Sequence, residues 1–168
     1  MQADPVSPFQ PRTPAIAAFL CFAPVLVSFA VASGATWPEY PGIFYHLAMF
    51  MLVASLKAPE WARIAGYGWV VLDVAAGVLR IHHVPHETAD PLRFAAHIFA
   101  GIWVAMASTA GTRRVKVIGV IAGVWLSSYT FVSPFLPTTF LAPCSLAMMV
   151  WLALIALQNG SQPAAVSG

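Results

Sequence analysis

The stretch 66–97, GYGWVVLDVAAGVLRIHHVPHETADPLRFAAH, decides how the chain is read. It holds an apolar run carrying Asp73 and Arg80, then a histidine-rich turn, then the start of another apolar run. Four of the chain's five histidines lie in it, and the fifth, His46, lies in the apolar run before it. A hydrocarbon layer about 30 Å thick is crossed by about 20 mainly apolar residues in helical form. Asp73 falls near the middle of such a run. A charged side chain there costs about 2.5–3.5 kcal/mol on insertion scales, so it demands either partners or a function.

Similar runs recur along the whole chain, at 14–33, 41–58, 64–82, 91–111, 114–133 and 138–157. The second is the shortest. Of the 168 residues, 60% are hydrophobic and 8% are charged, with a mean hydropathy of +0.78. Soluble domains carry about 25% charged residues, so this chain cannot supply a soluble surface. The expected fold is an all-α integral membrane protein, a compact bundle of six transmembrane helices. Residues 1–13 and 158–168 read as disordered tails. The triplet Ala30-Val31-Ala32 resembles a signal-peptide cleavage site; its leader has Arg12 as its one basic residue, and cleavage would leave five helices.

Lysines and arginines in short loops set orientation. With the N-terminus inside, Arg12, Lys57, Arg63, Arg113, Arg114 and Lys116 face the cytoplasm, and Arg80 and Arg93 lie outside near helix ends. This bias predicts cytoplasmic termini in a bacterial inner membrane, with the HHVPHE turn outward. No basic cluster points to nucleic acid. Cys21 and Cys144 stand in separate apolar runs and form no CxxC motif.

On the third run, Trp69, Asp73, Ala76, Gly77 and Arg80 share one helical face, while Val71, Val74, Val78 and Ile81 share the opposite one. Asp73 is therefore expected to face the bundle, beside small residues that admit a neighbouring helix. Arg80 lies about 10 Å further along the axis, with Ser127, Ser128 or Thr130 as candidate bridges between the two. Asp73 with Arg80, His46 and His97 is the expected ligand- or proton-binding set. The plainer reading is a neutral Asp73 tying helices together by hydrogen bonds.

Pro85 is expected to keep His82, His83 and His86 on a turn, where they and Glu87 form a candidate metal set for zinc or copper. His46 and His97 lie at matched depth on different runs, as the two axial ligands of haem b would. Gly119 and Gly123 form a GxxxG read as helix packing. There is no HExxH, GxSxG or P-loop pattern, so no nucleophile or reaction is indicated. The leading expectation is a protein that binds or transports a small molecule or ion through an outward-facing cavity around Asp73. The alternatives are a haem or metal redox protein, and a non-catalytic membrane subunit. So small a bundle leaves room for a homo-oligomer or a membrane partner.

Overall fold

The structure is a computed structural model that describes residues 10–31 and 35–158. It is built from six α-helices: α1 (Arg12–Val31), α2 (Glu39–Ser55), α3 (Glu60–Ile81), α4 (His86–Ser108), α5 (Arg113–Val132) and α6 (Ala142–Gln158). A 3-10 turn, Thr138–Leu141, leads into α6. Most of both expected tails, and Ala32 of the cleavage-like triplet, lie outside the described residues.

Prolines stand at the start of three of the six helices. Pro38, Pro59 and Pro85 stand at the N-terminal boundaries of α2, α3 and α4, and none of the three helices has a side-chain cap. A fixed φ and a missing N–H suit that position. The same chemistry moves two boundaries away from expectation. Arg12 and Thr13, expected in the tail, open α1. Helix α4 begins at His86 rather than at 91, so Pro91 lies inside it. One backbone bond is lost there, within the second turn, where the helix bonds are fewest.

Each helix packs chiefly on its neighbours in sequence, and α6 packs back on α1, which closes the six into a ring. Short connections make neighbours antiparallel, so α2, α4 and α6 begin at the end of the ring where α1, α3 and α5 finish. The tightest seam lies between α4 and α5. A Cβ on Gly101 would stand 2.2 Å from the Gly123 carbonyl, and one on Gly119 would overlap Ser108. Only glycine permits this approach, which is what the GxxxG reading expected. Ser127 and Thr130 strengthen the same seam by donating to the Ile98 and Phe94 carbonyls, at 3.2 and 2.6 Å. They are therefore not bridges between Asp73 and Arg80.

Three buried tryptophans pack together inside the ring. Trp103 packs on Trp69 at 6.0 Å and edge-on to Trp151 at 5.7 Å between centroids. Trp151 Nε1 donates to Ser108 Oγ at 2.8 Å, which satisfies a polar atom that burial would otherwise strand. The outside is apolar: Leu20, Phe44, Ile64, Val71, Val124 and Phe131 are all exposed. Such an exterior suits a hydrocarbon solvent. Five helical segments are long and apolar enough to cross a membrane. Helix α2, with 17 residues, spans about 26 Å and falls short of that length, so the expected count of six is not matched by length alone.

Candidate functional site

Residues of all six helices, Trp69 among them, line a cavity of about 520 Å³. Its walls differ in character. Phe22, Val25 and Phe29 of α1, Leu126 of α5 and Met148 of α6 make it apolar on one side. Helices α2, α3 and α4 supply every ionisable charged group that lines it.

Asp73 is the centre of the polar wall. It is buried, with 3% of its surface exposed, on the face of α3 that the periodicity assigned to the bundle. Trp69, one turn earlier, donates Nε1–H to Asp73 Oδ2 at 2.5 Å. His46 of α2 brings Nε2 to 3.2 Å from the same oxygen. Arg93 of α4 places Nε 3.4 Å from Oδ1. Arg93 also holds Glu39 of α2 in a two-pronged pair, at 3.1 and 2.6 Å. One guanidinium thus joins three helices, with a bidentate hydrogen-bonded contact to one carboxylate and an ion pair to another.

Hydrogen-bond geometry fixes where protons can sit. His46 Nδ1 lies 2.7 Å from the Gly42 carbonyl oxygen, which can only accept, so Nδ1 carries a hydrogen. In a neutral imidazole Nε2 would then present a lone pair to the Asp73 carboxylate. The 3.2 Å contact is favourable only if a further proton lies between them, on Nε2 or on Oδ2. His46 and Asp73 are thus placed to share one proton.

Of the four residues expected to form the binding set, Asp73 and His46 meet directly, and His97 lines the same cavity. His97 Nδ1 is buried without a hydrogen-bond partner among the described residues. Arg80 also reaches the cavity but serves a different partner: it bonds Asp90 Oδ1 at 3.2 Å and donates to His86 Nδ1. The same His86 Nδ1 also lies 3.3 Å from Asp90 Oδ2, so Arg80, His86 and Asp90 form one cluster.

The expected metal set does not assemble. His82 and His83 end α3: the Val84 and His83 amides bond the Leu79 and Arg80 carbonyls, at 3.0 Å each, with His83 at φ 59°. This is a Schellman motif with histidine where glycine is usual. His86 opens α4, not a turn, and faces Arg80 and Asp90, while Glu87 is exposed. No group of three or more His, Cys, Asp or Glu side chains arranged to hold a metal ion occurs among the described residues. A bis-histidine haem also finds no fit, because Asp73 Oδ2 stands where iron would meet His46 Nε2.

Sequence reasoning missed Glu39, Trp69 as a donor, Asp90 and Arg93. The signal for α4 was present: His86, Asp90, Arg93 and His97 are spaced 4, 3 and 4 residues apart, a helical stripe. Starting the helix at Pro91 hid it.

No family model matches the chain, and no curated protein or solved structure is significantly similar to it.

Proposed function

We propose that this is a small multi-pass membrane protein that binds or transports a small molecule or ion in the cavity around Asp73. The reading takes all six helices as spans, with both termini cytoplasmic and the cavity opening on the outer face of a bacterial inner membrane. The lysine and arginine bias supports that orientation. Short α2 fits because Pro38 and Leu56 lengthen it at either end and the bilayer can thin locally.

The observation that carries the functional reading is the convergence of Glu39, His46, Asp73 and Arg93 from three helices on one cavity. Ionisable groups inside an apolar bundle are expensive, and they mark substrate, ion and proton paths. Concave sites between helices are where bundles hold ligands. A purely architectural role would be met by neutral hydrogen bonds at lower cost. A proton shared by His46 and Asp73 would give the site a means to couple ligand occupancy to protonation.

The test is proton movement in proteoliposomes loaded with a pH-sensitive dye and challenged with panels of small cations, anions and neutral solutes. One solute class should drive a pH change that is lost in Asp73→Asn, while the variant keeps its elution profile and helix content. No solute-dependent signal, or a signal unchanged in Asp73→Asn, overturns the reading.

A further inference from the structure

The charge balance of the cavity is specific enough to name a class of ligand. Its carboxylates are Glu39, Asp73 and Asp90, and its cations are Arg80 and Arg93. Both guanidiniums are already committed to carboxylates, at 2.6 Å for Arg93–Glu39 and 3.2 Å for Arg80–Asp90. An anionic ligand would have to break these pairs. Three acids against two arginines leave one negative charge, which a proton shared by His46 and Asp73 would cancel.

Ionisable groups line the cavity beside His46 on four helices. On its own helix the nearby ionisable groups are Glu39 and Tyr45; from α3 they are Asp73 and Arg80. From α4 they are His86, Asp90, Arg93 and His97, and from α6 Cys144. Helices α1 and α5 bring no charged side chain to the cavity. Of the three histidines, His86 lies with Arg80 and Asp90, and His97 Nδ1 has no hydrogen-bond partner among the described residues. Among the described residues His46 is the histidine paired directly with Asp73, at 3.2 Å.

We propose that the cavity takes an amphipathic monovalent ammonium, a protonated amine on an apolar body, in exchange for one proton of the His46–Asp73 pair. This rests on the binding reading above and deepens it. With the pair deprotonated, His46 keeps Nδ1–H on the Gly42 carbonyl and turns a lone pair at Nε2 toward Asp73 Oδ2. An ammonium beside the pair then donates one N–H to each atom, replacing the lost proton's charge. The site's net charge is unchanged, and the proton leaves to solvent. Tyr45 and Trp69 flank His46, at 4.7 and 5.6 Å between ring centroids, and aromatic faces attract a cation in a desolvated site. The opposite wall, Phe22, Val25, Phe29 and Met148, takes the apolar body.

The experiment is titration calorimetry on full-length protein in lipid nanodiscs, with empty discs subtracted. The probes are hexylammonium, its neutral isostere hexan-1-ol, and hexanoate. Each runs in two buffers of different ionisation enthalpy, so that released protons are counted. Hexylammonium should bind at least tenfold more tightly than the other two, with about one proton released. Its affinity should rise about tenfold per pH unit while the pair is protonated. His46→Gln should still bind it, with no proton released and no pH dependence. Asp73→Asn should lose binding, and Asp73→Glu should retain it. Elution profile and near-ultraviolet circular dichroism check folding, and the wild-type proton count decides even if a variant misfolds. Binding of hexan-1-ol or hexanoate in preference overturns the ammonium class and leaves the cavity a binding site. Ammonium binding without proton release overturns the exchange. Silence from all three probes overturns the proposal, and the proteoliposome assay then decides separately whether the cavity has a ligand of another kind.

Discussion

Arg93 is the residue whose removal should disturb the fold most for its size. Arg93→Met keeps the length of the side chain and its apolar stem but deletes the guanidinium. Glu39 loses contacts at 3.1 and 2.6 Å, and Asp73 loses one at 3.4 Å. Removing one partner of a buried ion pair costs about 3–5 kcal/mol, chiefly because the abandoned charge stays buried. Here the side chains of Glu39 and Asp73 are only 11% and 3% exposed, whereas that of Arg93 is 28% exposed. Partial access of water to the arginine places the expected cost at the lower end, about 3 kcal/mol. Reversible unfolding in mixed micelles, titrated with sodium dodecyl sulfate, measures it. Glu39→Gln in the same chain removes one of the two abandoned charges and should recover about 1–2 kcal/mol, a coupling typical of residues in one network. A cost for Arg93→Met below about 1 kcal/mol, the range of exposed pairs, would refute the picture of a desolvated network, as would strict additivity of the two changes.

Two glycines give opposite expectations. Gly101→Ala drives a methyl into the Gly123 carbonyl and Ser127 and should destabilise by about 1–3 kcal/mol or more, whereas Gly68→Ala meets nothing within 4 Å and should gain about 0.5–1 kcal/mol; the same micelle titration compares them. His83→Gly removes a side chain from a left-handed position and should raise stability by about 1 kcal/mol, with no change in metal content by elemental analysis. Trp151→Phe deletes the donor to Ser108 and should cost about 1 kcal/mol, read as a lower unfolding midpoint. Nitrogen NMR on histidine-labelled protein should show His46 Nδ1 protonated throughout a pH titration, with the change confined to Nε2; the reverse pattern contradicts its bond to Gly42.

The face of α3 was legible because it is a local matter. Trp69, Asp73, Ala76, Gly77 and Arg80 repeat at helical spacing, and the same five residues are buried while Val71 and Val78 are exposed. Small residues at Gly119 and Gly123 likewise announce a close helix contact, whichever partner fills it. The partners themselves were not legible. Glu39 and Arg93 are 54 residues apart, and nothing in either neighbourhood marks the other. Arg93 read as a residue near a helix end, which often has its head group in water, until α4 proved to begin a turn and a half earlier. The histidine-rich turn misled in the opposite direction. Its residues attract attention by number, yet His82 and His83 close a helix and His86 serves Arg80.

Sequence by itself determined that the chain is a set of apolar helices, which face of the third turns inward, and that Asp73 must be compensated. These follow from hydropathy and from a period of 3.6 residues, both properties of adjacent residues. Tertiary structure alone decided that the six helices close into a ring, that three tryptophans pack together inside it, and that Asp73 meets His46 and Arg93 rather than Arg80. Those outcomes depend on the rotation and depth of each helix against its neighbours, which are set by packing contacts between residues far apart in the chain.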